Sequence, residues 1–277
     1  MSICLALQIR IDFAKHNIIT KTFSDVWVKT KMITKELLAE IGKNKGLKNK
    51  EYIEKDYFQD IILSKLFART NNFIFKGGTA LYKLYNLPRF SEDLDFSTII
   101  QAEEEDIEKI IKEIIENDTF TIKSIKKAYN TILIKLACKG IITKYNTLRI
   151  DINLKNKILR DFEVKNYIPS YIDINPFAIR VLNLEEIISE KIHALFTRQK
   201  ARDLFDMFYL LRISKIDKKL IDDKLAIFDI KYDHKLLEKR LDGLKDIWVE
   251  ELKPFILTEL PDLRIVKEFV LNKLKEV

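Results

Sequence analysis

Residues 73–96 read FIFKGGTALYKLYNLPRFSEDLDF, and this stretch decides the fold. Phe73-Ile74-Phe75 is a short apolar run that predicts a buried strand, ended by Gly77-Gly78. Residues 79–85 follow as a short helix, and residues 93–97 as a second strand. A strand that runs through two glycines into a helix lets backbone N–H groups approach a phosphate closely, because glycine has no Cβ in the way. Any tight strand-to-helix connection can use Gly-Gly, so the turn alone does not settle the chemistry. Asp93 and Asp95 stand one residue apart. In a strand both carboxylates leave the same face, while Leu94 and Phe96 point into the core. Two adjacent carboxylates repel unless a cation sits between them, and Mg²⁺ suits such oxygen ligands. An isolated Asp-Leu-Asp also reads as a solvated strand end.

A second strand supplies the missing partner. Residues 148–154 alternate strictly, with Leu148, Ile150 and Ile152 opposed to Arg149, Asp151 and Asn153. If this strand neighbours the Asp93–Asp95 strand, three carboxylates converge. Three are enough to hold two metal ions roughly 3.5–4 Å apart, the arrangement for in-line attack at phosphorus.

Outward from this centre the text is regular. Thr34 caps a helix carrying Leu37, Leu38 and Ile41, and residues 52–66 continue the helical spacing until Asn71-Asn72 breaks it. Residues 103–116 open with four acids at the positive end of the helix dipole and bury Ile107, Ile110, Ile111, Ile114 and Ile115. Residues 119–125 and 131–137 are strand-like. After Pro169 and Pro176 the chain is expected to be helical to Val277. The reading is α+β, with an N-terminal extension and helices over 1–70, a core over 71–160 built on a small mixed sheet, and a helical C-terminal lobe over 161–277.

Asn183 and Glu186 make a capping-box-like start for a helix from Leu184. On it Lys191 shares a face with Ile187, Ile188 and Leu195 and has no acid at i±3 or i±4. A lysine so placed either snorkels or faces an anion, and a triphosphate is a suitable one. Beyond it stand Arg198, Arg202, Asp203 and Asp206, which also read as a helix-connecting loop held by Arg–Asp pairs. His193 lies off the Lys191 face and reads as packing or surface.

Composition bounds the classes. The chain has 277 residues, 47% of them hydrophobic and 33% charged, which excludes disordered, collagenous and coiled-coil classes. Six Gly and five Pro leave few tight turns and favour helices. Forty-nine Lys and Arg against 42 Asp and Glu give a net charge of +7, which makes a polyanion the first partner to consider, held by the basic helical lobe. Only 11 of those cations are Arg, so a Lys-rich proteome would produce the same excess. Cys4 and Cys138 make neither a disulfide framework nor a zinc site, and His16, His193 and His234 are scattered. No run is long enough for a transmembrane helix. The apolar start MSICLALQIRIDF is interrupted by Arg10 and Asp12 and does not read as a signal peptide, so the cytoplasm is expected. Residues 1–31 have no clean period.

The joint pattern of Lys76-Gly-Gly-Thr-Ala-Leu, Arg89-x-Ser-x-Asp-Leu-Asp-Phe, Lys191, and Arg198 with Arg202-Asp-Leu-Phe-Asp206 resembles the AbiEii-type nucleotidyltransferase toxins. These are the toxin halves of type IV toxin–antitoxin and abortive-infection systems. The likeness runs from about residue 33 to 270, and Met32 is an expected natural start. The resemblance implies a DNA-polymerase-β-like nucleotidyltransferase fold with a helical C-terminal lobe. It also implies Mg²⁺ (two ions), a nucleoside triphosphate and, in some relatives, nucleotide transfer to the tRNA acceptor end. A cognate antitoxin is an implied partner. Carried over by position, Gly77, Gly78 and Thr79 cradle phosphate, and Asp93 and Asp95 bind metal, joined by Asp151 from the strand alternation. Lys191 binds the triphosphate with Arg89, Ser91, Arg198 and Arg202 beside it, and Asp203 belongs to the last motif. Fourteen residues separate Gly78 from Asp93, more than in many polymerase-β relatives, and Gly78 stands where those often have Ser. The expected activity is Mg²⁺-dependent transfer of a nucleoside monophosphate from a triphosphate to a hydroxyl on RNA. The alternatives are phosphoryl transfer to a protein or small molecule, and a catalytically silent module that binds nucleic acid or antitoxin. Three clustered carboxylates argue against the silent module, since an anion-binding surface gains nothing from them.

Overall fold

The computed structural model describes residues 33–100, 102–115, 119–154 and 158–275. The readings made on residues 1–31, with Cys4 and His16, and on Met32 as a start lie outside the described residues.

Helix α1 (Lys35–Asn44) opens at Thr34, whose hydroxyl accepts from the Leu37 N–H at 3.2 Å. Helix α2 (Lys50–Arg69) opens at Asn49 and buries Tyr57, Phe58, Ile62, Leu63 and Leu66. Strand β1 (Phe73–Lys76) leads directly into α3 (Gly77–Tyr85), and β2 (Leu94–Thr98) and α4 (Glu104–Ile114) follow. Then come β3 (Phe120–Ala128), β4 (Thr131–Lys139), β5 (Tyr145–Asn153), β6 (Glu163–Tyr167) and β7 (Phe177–Val181). Six helices complete the described chain: α5 (Leu184–Thr197), α6 (Ala201–Ile213), α7 (Lys218–Ala226), α8 (His234–Asp242), α9 (Trp248–Leu252) and α10 (Leu263–Leu274).

The strands form one seven-stranded mixed sheet in the order β3-β4-β5-β2-β1-β7-β6. β2 runs parallel to β5 and β1 parallel to β7, and the other neighbours are antiparallel. Period-2 alternation gives the sheet a buried face: Ile132, Ile134, Leu136 and Cys138 on β4, and Leu148, Ile150 and Ile152 on β5. Helix α2 lies across that face, where Phe58 meets Phe120 edge-on with 5.6 Å between ring centroids. Burial pushes the Cys138 thiol up to about 12, so this cysteine packs and does not react.

Three expectations need correction. The chain does not turn helical after Pro176: Phe177–Val181 is strand β7, with Val181 paired to Phe75, and β6 pairs with it at the sheet edge. The partner that makes these residues a strand lies about a hundred positions upstream, beyond the reach of a local pattern. Asn183 does cap α5, accepting from the Glu185 N–H at 3.0 Å, but Glu186 does not reciprocate. Its carboxylate accepts from the Leu159 and Arg160 N–H groups at 2.9 and 2.8 Å and pairs with Lys224 at 2.7 Å. Finally, residues 161–277 hold 21 Lys and Arg against 22 Asp and Glu, so the helical part is not the basic part. His193 packs as expected, its ring stacked on Phe228 at 3.9 Å between centroids. Among the described residues no helix is long and apolar enough to cross a membrane.

Candidate active site

The parallel register of β2 and β5 sets Asp95 directly opposite Asp151, and the antiparallel register of β1 sets Lys76 opposite Asp95 on the other side. Neighbouring strands lie about 4.8 Å apart, so these three side chains share one face of the sheet. Leu94 and Phe96 are fully buried on the other face, as the alternation requires. Asp93 stands just ahead of β2 and opens onto the same cavity of about 330 Å³, whose wall includes Gly77, Gly78, Ser91, Arg149 and Arg202. The sheet therefore assembles the three carboxylates that the sequence singled out.

Electrostatics at this face is strained. Burial pushes the Asp95 carboxyl up to about 6, reinforced by the charges of Asp151 and Asp93. Burial also raises Asp93 against the pull of Arg149. Asp151 is engaged: Arg149 Nε and Nη2 donate to its two oxygens at 2.7 and 2.6 Å. Among the described residues no three His, Cys, Asp or Glu side chains form a ready-made metal cage. Asp93 and Asp95 still fit a hard divalent cation: they are oxygen ligands, enclosed, mutually repelling and incompletely neutralised by protein cations. Asp151 fits as a further ligand once Arg149 shares or releases it.

The glycines are explained by contact. Gly77 has φ +74°, and a Cβ there would run into the Asp95 carboxylate. A Cβ on Gly78 would meet Arg89 Nη2 at 2.7 Å and Ser91 Oγ at 2.8 Å. Only glycine lets the start of α3 pack directly onto the acidic strand. That helix has no side-chain cap, and its N-cap residue Lys76 instead pairs with Glu190 at 3.1 Å. Its first N–H groups stay open for an anion at the positive end of the dipole. Thr79 is placed differently from its neighbours. It is fully buried, and its hydroxyl donates to the Asp93 carbonyl at 2.5 Å, so it braces the carboxylate loop from behind.

The opposite wall is cationic. Lys191 is not partnerless, as the local spacing suggested: its Nζ pairs with Asp203 at 2.9 Å and Asp206 at 2.6 Å, both on α6. Arg198 pairs with Asp203 at 2.8 Å, and Arg89 grips Asp206 through Nε and Nη2 at 2.6 and 2.7 Å. Burial would raise the carboxyls of Asp203 and Asp206, but Lys191 and Arg198 hold the first, and Arg89 and Lys191 the second, below the usual carboxylate range. Burial likewise opposes charge on Lys191, yet the two aspartates keep it firmly protonated. Asp203 and Asp206 are buried behind the wall, while Lys191, Arg89 and Arg198 reach the cavity with Arg202. Three cations against two carboxylates leave this cluster one positive charge in excess, facing the acidic strand across the cavity.

Sequence reasoning missed the brace from α2. Gln59, fully buried, donates through Nε2 to the Ser91 and Glu92 carbonyls at 2.9 and 3.0 Å, and Lys55 pairs with Glu92 at 2.6 Å. Together with Thr79 they hold the loop that presents Asp93. The available signal was polar: Glu54, Asp56, Gln59 and Asp60 are all fully buried on this helix, and such groups need partners.

Among curated proteins, none matches the chain. The nucleotidyltransferase toxin MenT4 of Mycobacterium tuberculosis is 19% identical, with 87% of this chain and 88% of that chain covered and a TM-score of 0.57. It shows the fold. The JHP933 protein of Helicobacter pylori is 25% identical over 83% of this chain and 92% of that one, with a TM-score of 0.48. Another Helicobacter pylori protein, described as a nucleotidyltransferase, is 21% identical over 82% and 95%, with a TM-score of 0.49. Residues 61–273 match the family described as nucleotidyl transferase AbiEii toxin, type IV TA system, and the match takes in the Gly-Gly turn, all three aspartates and the cationic wall. The chain belongs to the AbiEii family of nucleotidyltransferase toxins.

Proposed function

We propose that this nucleotidyltransferase moves a nucleoside monophosphate from a nucleoside triphosphate to a hydroxyl on RNA, with tRNA as the acceptor. In this reading it is the toxin of a type IV pair whose antitoxin restrains it. One observation carries the chemistry: Asp95 and Asp151 are in register on one face and line a single cavity together with the uncapped N-terminus of α3 and the Lys191 cluster. Asp93 and Asp95 would hold Mg²⁺, with Asp151 completing the set. Bound there, the metal supplies Lewis acidity, activating a hydroxyl and offsetting charge on a leaving pyrophosphate.

The chain's own groups do the rest. The open N–H groups of Gly77 and Gly78 cradle phosphate oxygens, and Lys191 with Arg198 and Arg202 meets the remaining charge from the other wall. The acceptor oxygen attacks the α-phosphorus, the bond to pyrophosphate breaks, and the proton leaves to the Asp151 carboxylate. Arg149, hydrogen-bonded to both Asp151 oxygens, keeps that carboxylate oriented. Positioning and preorganised charge account for most of the rate in such a transfer.

Incubating the protein with each α-labelled nucleoside triphosphate, Mg²⁺ and total RNA tests this. Label in tRNA-sized RNA, absent with Asp93→Asn, is the expected result. Label in protein would move the acceptor to a protein, and no label with any triphosphate would remove the transferase reading.

A further inference from the structure

Charge is distributed very unevenly along this chain. Residues 119–160 hold ten Lys and Arg against a single acid, Asp151. The rest of the chain holds 39 cations against 41 acids, so this one segment supplies the whole positive excess. Most of it is the β3-β4-β5 meander. On its buried face Lys127 pairs with Glu104 at 3.6 Å. On its outer face the alternation places Lys126, Lys135, Lys139 and Arg149, all exposed. Lys123 lies at the β3 irregularity and sets its ammonium 4.8 Å from the ring centre of Tyr145, which is 45% exposed on that same face. Lys126, Lys135 and Lys139 have no carboxylate partner among the described residues, and Lys135 stands directly opposite Arg149 in the register. Like charges directly opposite each other destabilise a sheet. Lysines on an edge strand can serve to block aggregation, which accounts for those on β3. It does not account for Lys135 and Lys139, because β4 is paired on both sides.

We propose that this open sheet face is the track on which the RNA acceptor lies, its phosphates on Lys126, Lys135 and Lys139 and an unpaired base stacked on Tyr145. The inference rests on RNA being the acceptor. The face is continuous with the reaction centre, since Tyr145, Arg149 and Asp151 project from one side of the same strand. Six residues at about 3.4 Å each put Tyr145 roughly 20 Å from Asp151. A strand bound along the track therefore delivers its end to the carboxylates, and the near-neutral helical lobe is left to the nucleotide. Base stacking on an exposed tyrosine beside lysines that follow a backbone is how sheet surfaces hold single-stranded nucleic acid.

The test compares three full-length proteins in binding labelled tRNA over a salt series: wild type, Lys126→Gln/Lys135→Gln/Lys139→Gln, and Lys218→Gln/Lys219→Gln/Lys235→Gln on the helical part. Exposed lysines are replaced in both variants, so both are expected to fold. The sheet triple should lower the slope of log affinity against log salt by about 2 and weaken binding on the order of 10- to 100-fold at physiological salt. The helical triple should leave both near wild type. Tyr145→Ala should weaken binding of single-stranded RNA at least about fivefold. Binding of a nucleoside triphosphate without RNA should be unchanged in all of them. A sheet triple indistinguishable from wild type, or a helical triple that fails instead, overturns the track and leaves the RNA acceptor standing. Wild-type protein that binds no tRNA even at low salt overturns the RNA acceptor itself. Retention on anionic vesicles or polyglutamate, lost in the sheet triple while tRNA binding persists, reassigns the face to another partner and also overturns the proposal.

Discussion

A carboxyl group raised to about 6 by burial and by two carboxylate neighbours is a source of instability whenever no cation neutralises it, and Asp95 is that group. Its folded value lies above its unfolded value of about 3.9, so the proton favours the folded state. The stabilising contribution is complete below about pH 4 and is lost as pH rises through about 6. Two pH units correspond to about 3 kcal/mol, and access from the cavity reduces this to about 1–3 kcal/mol. Chelator-treated protein should therefore melt at progressively lower temperature between pH 4.5 and 7, with Asp93 adding in the same direction. Asp95→Asn should flatten that profile, raise metal-free stability at pH 7.5 by about 1–3 kcal/mol, and abolish transfer. A flat wild-type profile would remove the physical case for an unbalanced acidic site. Much at this scale was legible in the sequence. Gly-Gly after a strand and Asp-Leu-Asp within one are local patterns with a period of two, and period two also exposed Asp151. The same alternation puts Arg149 beside Asp151, but a search for converging carboxylates does not look for their counter-ion.

Elements were legible in existence and less so in partnership. The helices up to α5 and the first five strands follow from local patterns, whereas β6 and β7 owe their strand character to β1, and the five later helices read only as one undivided helical stretch. Lys191 is the sharpest case. Its partners lie 12 and 15 positions downstream on the next helix, outside any i±4 rule, so an apolar helix face concealed a buried ion cluster. That cluster ties α5 to α6 and, through Arg89, to the loop ahead of β2. Removing one partner from a buried ion cluster costs about 3–5 kcal/mol, and the surviving Arg198 and Arg89 pairs moderate that. Lys191→Met should thus lose about 2–4 kcal/mol in urea melts and also weaken triphosphate binding, with Lys191→Arg recovering only part of either. A Lys191→Met protein that is destabilised yet binds triphosphate and turns over normally would reduce the cluster to plain scaffold, and one that is both stable and active would remove either role. Gln59 acts across elements in the same way, reaching from α2 to the Asp93 loop. Gln59→Leu leaves two enclosed carbonyls without their donor, at about 1–3 kcal/mol. Because the loop carries the carboxylate proposed to hold metal and not the proposed phosphate cradle, turnover and metal affinity should fall at least about tenfold while triphosphate affinity changes little. Equal losses in all three would mark general unfolding of the loop.

At the scale of the molecule, the reaction cavity lies between three charged surfaces built on one apolar core: the acidic sheet face, the α3 N-terminus, and the cationic wall on α5 and α6. Each wall alone carries an imbalance that the other does not correct, since Asp95 remains strained and the Lys191 cluster keeps its excess positive charge. A triphosphate alone satisfies the cationic wall but brings more negative charge to the acidic one. A divalent ion alone relieves the aspartates and adds positive charge opposite the cations. Together they satisfy both, so their binding must be cooperative, each raising the other's affinity by the same factor. Thermal melts read this directly. At a hundredfold excess over its dissociation constant, a ligand stabilises by about 2.7 kcal/mol, which is about 5–10 °C for a chain of this size. Mg²⁺ and triphosphate together should reach that shift, while either alone should fall well short of half of it. Asp93→Asn should raise the melting temperature of the free protein slightly at neutral pH but lose the extra shift, because it removes a carboxylate proposed to hold the metal beside the bound phosphates. Shifts that merely add, with no gain from the pair and no difference in Asp93→Asn, would mean that the two walls work independently and that the metal lies elsewhere.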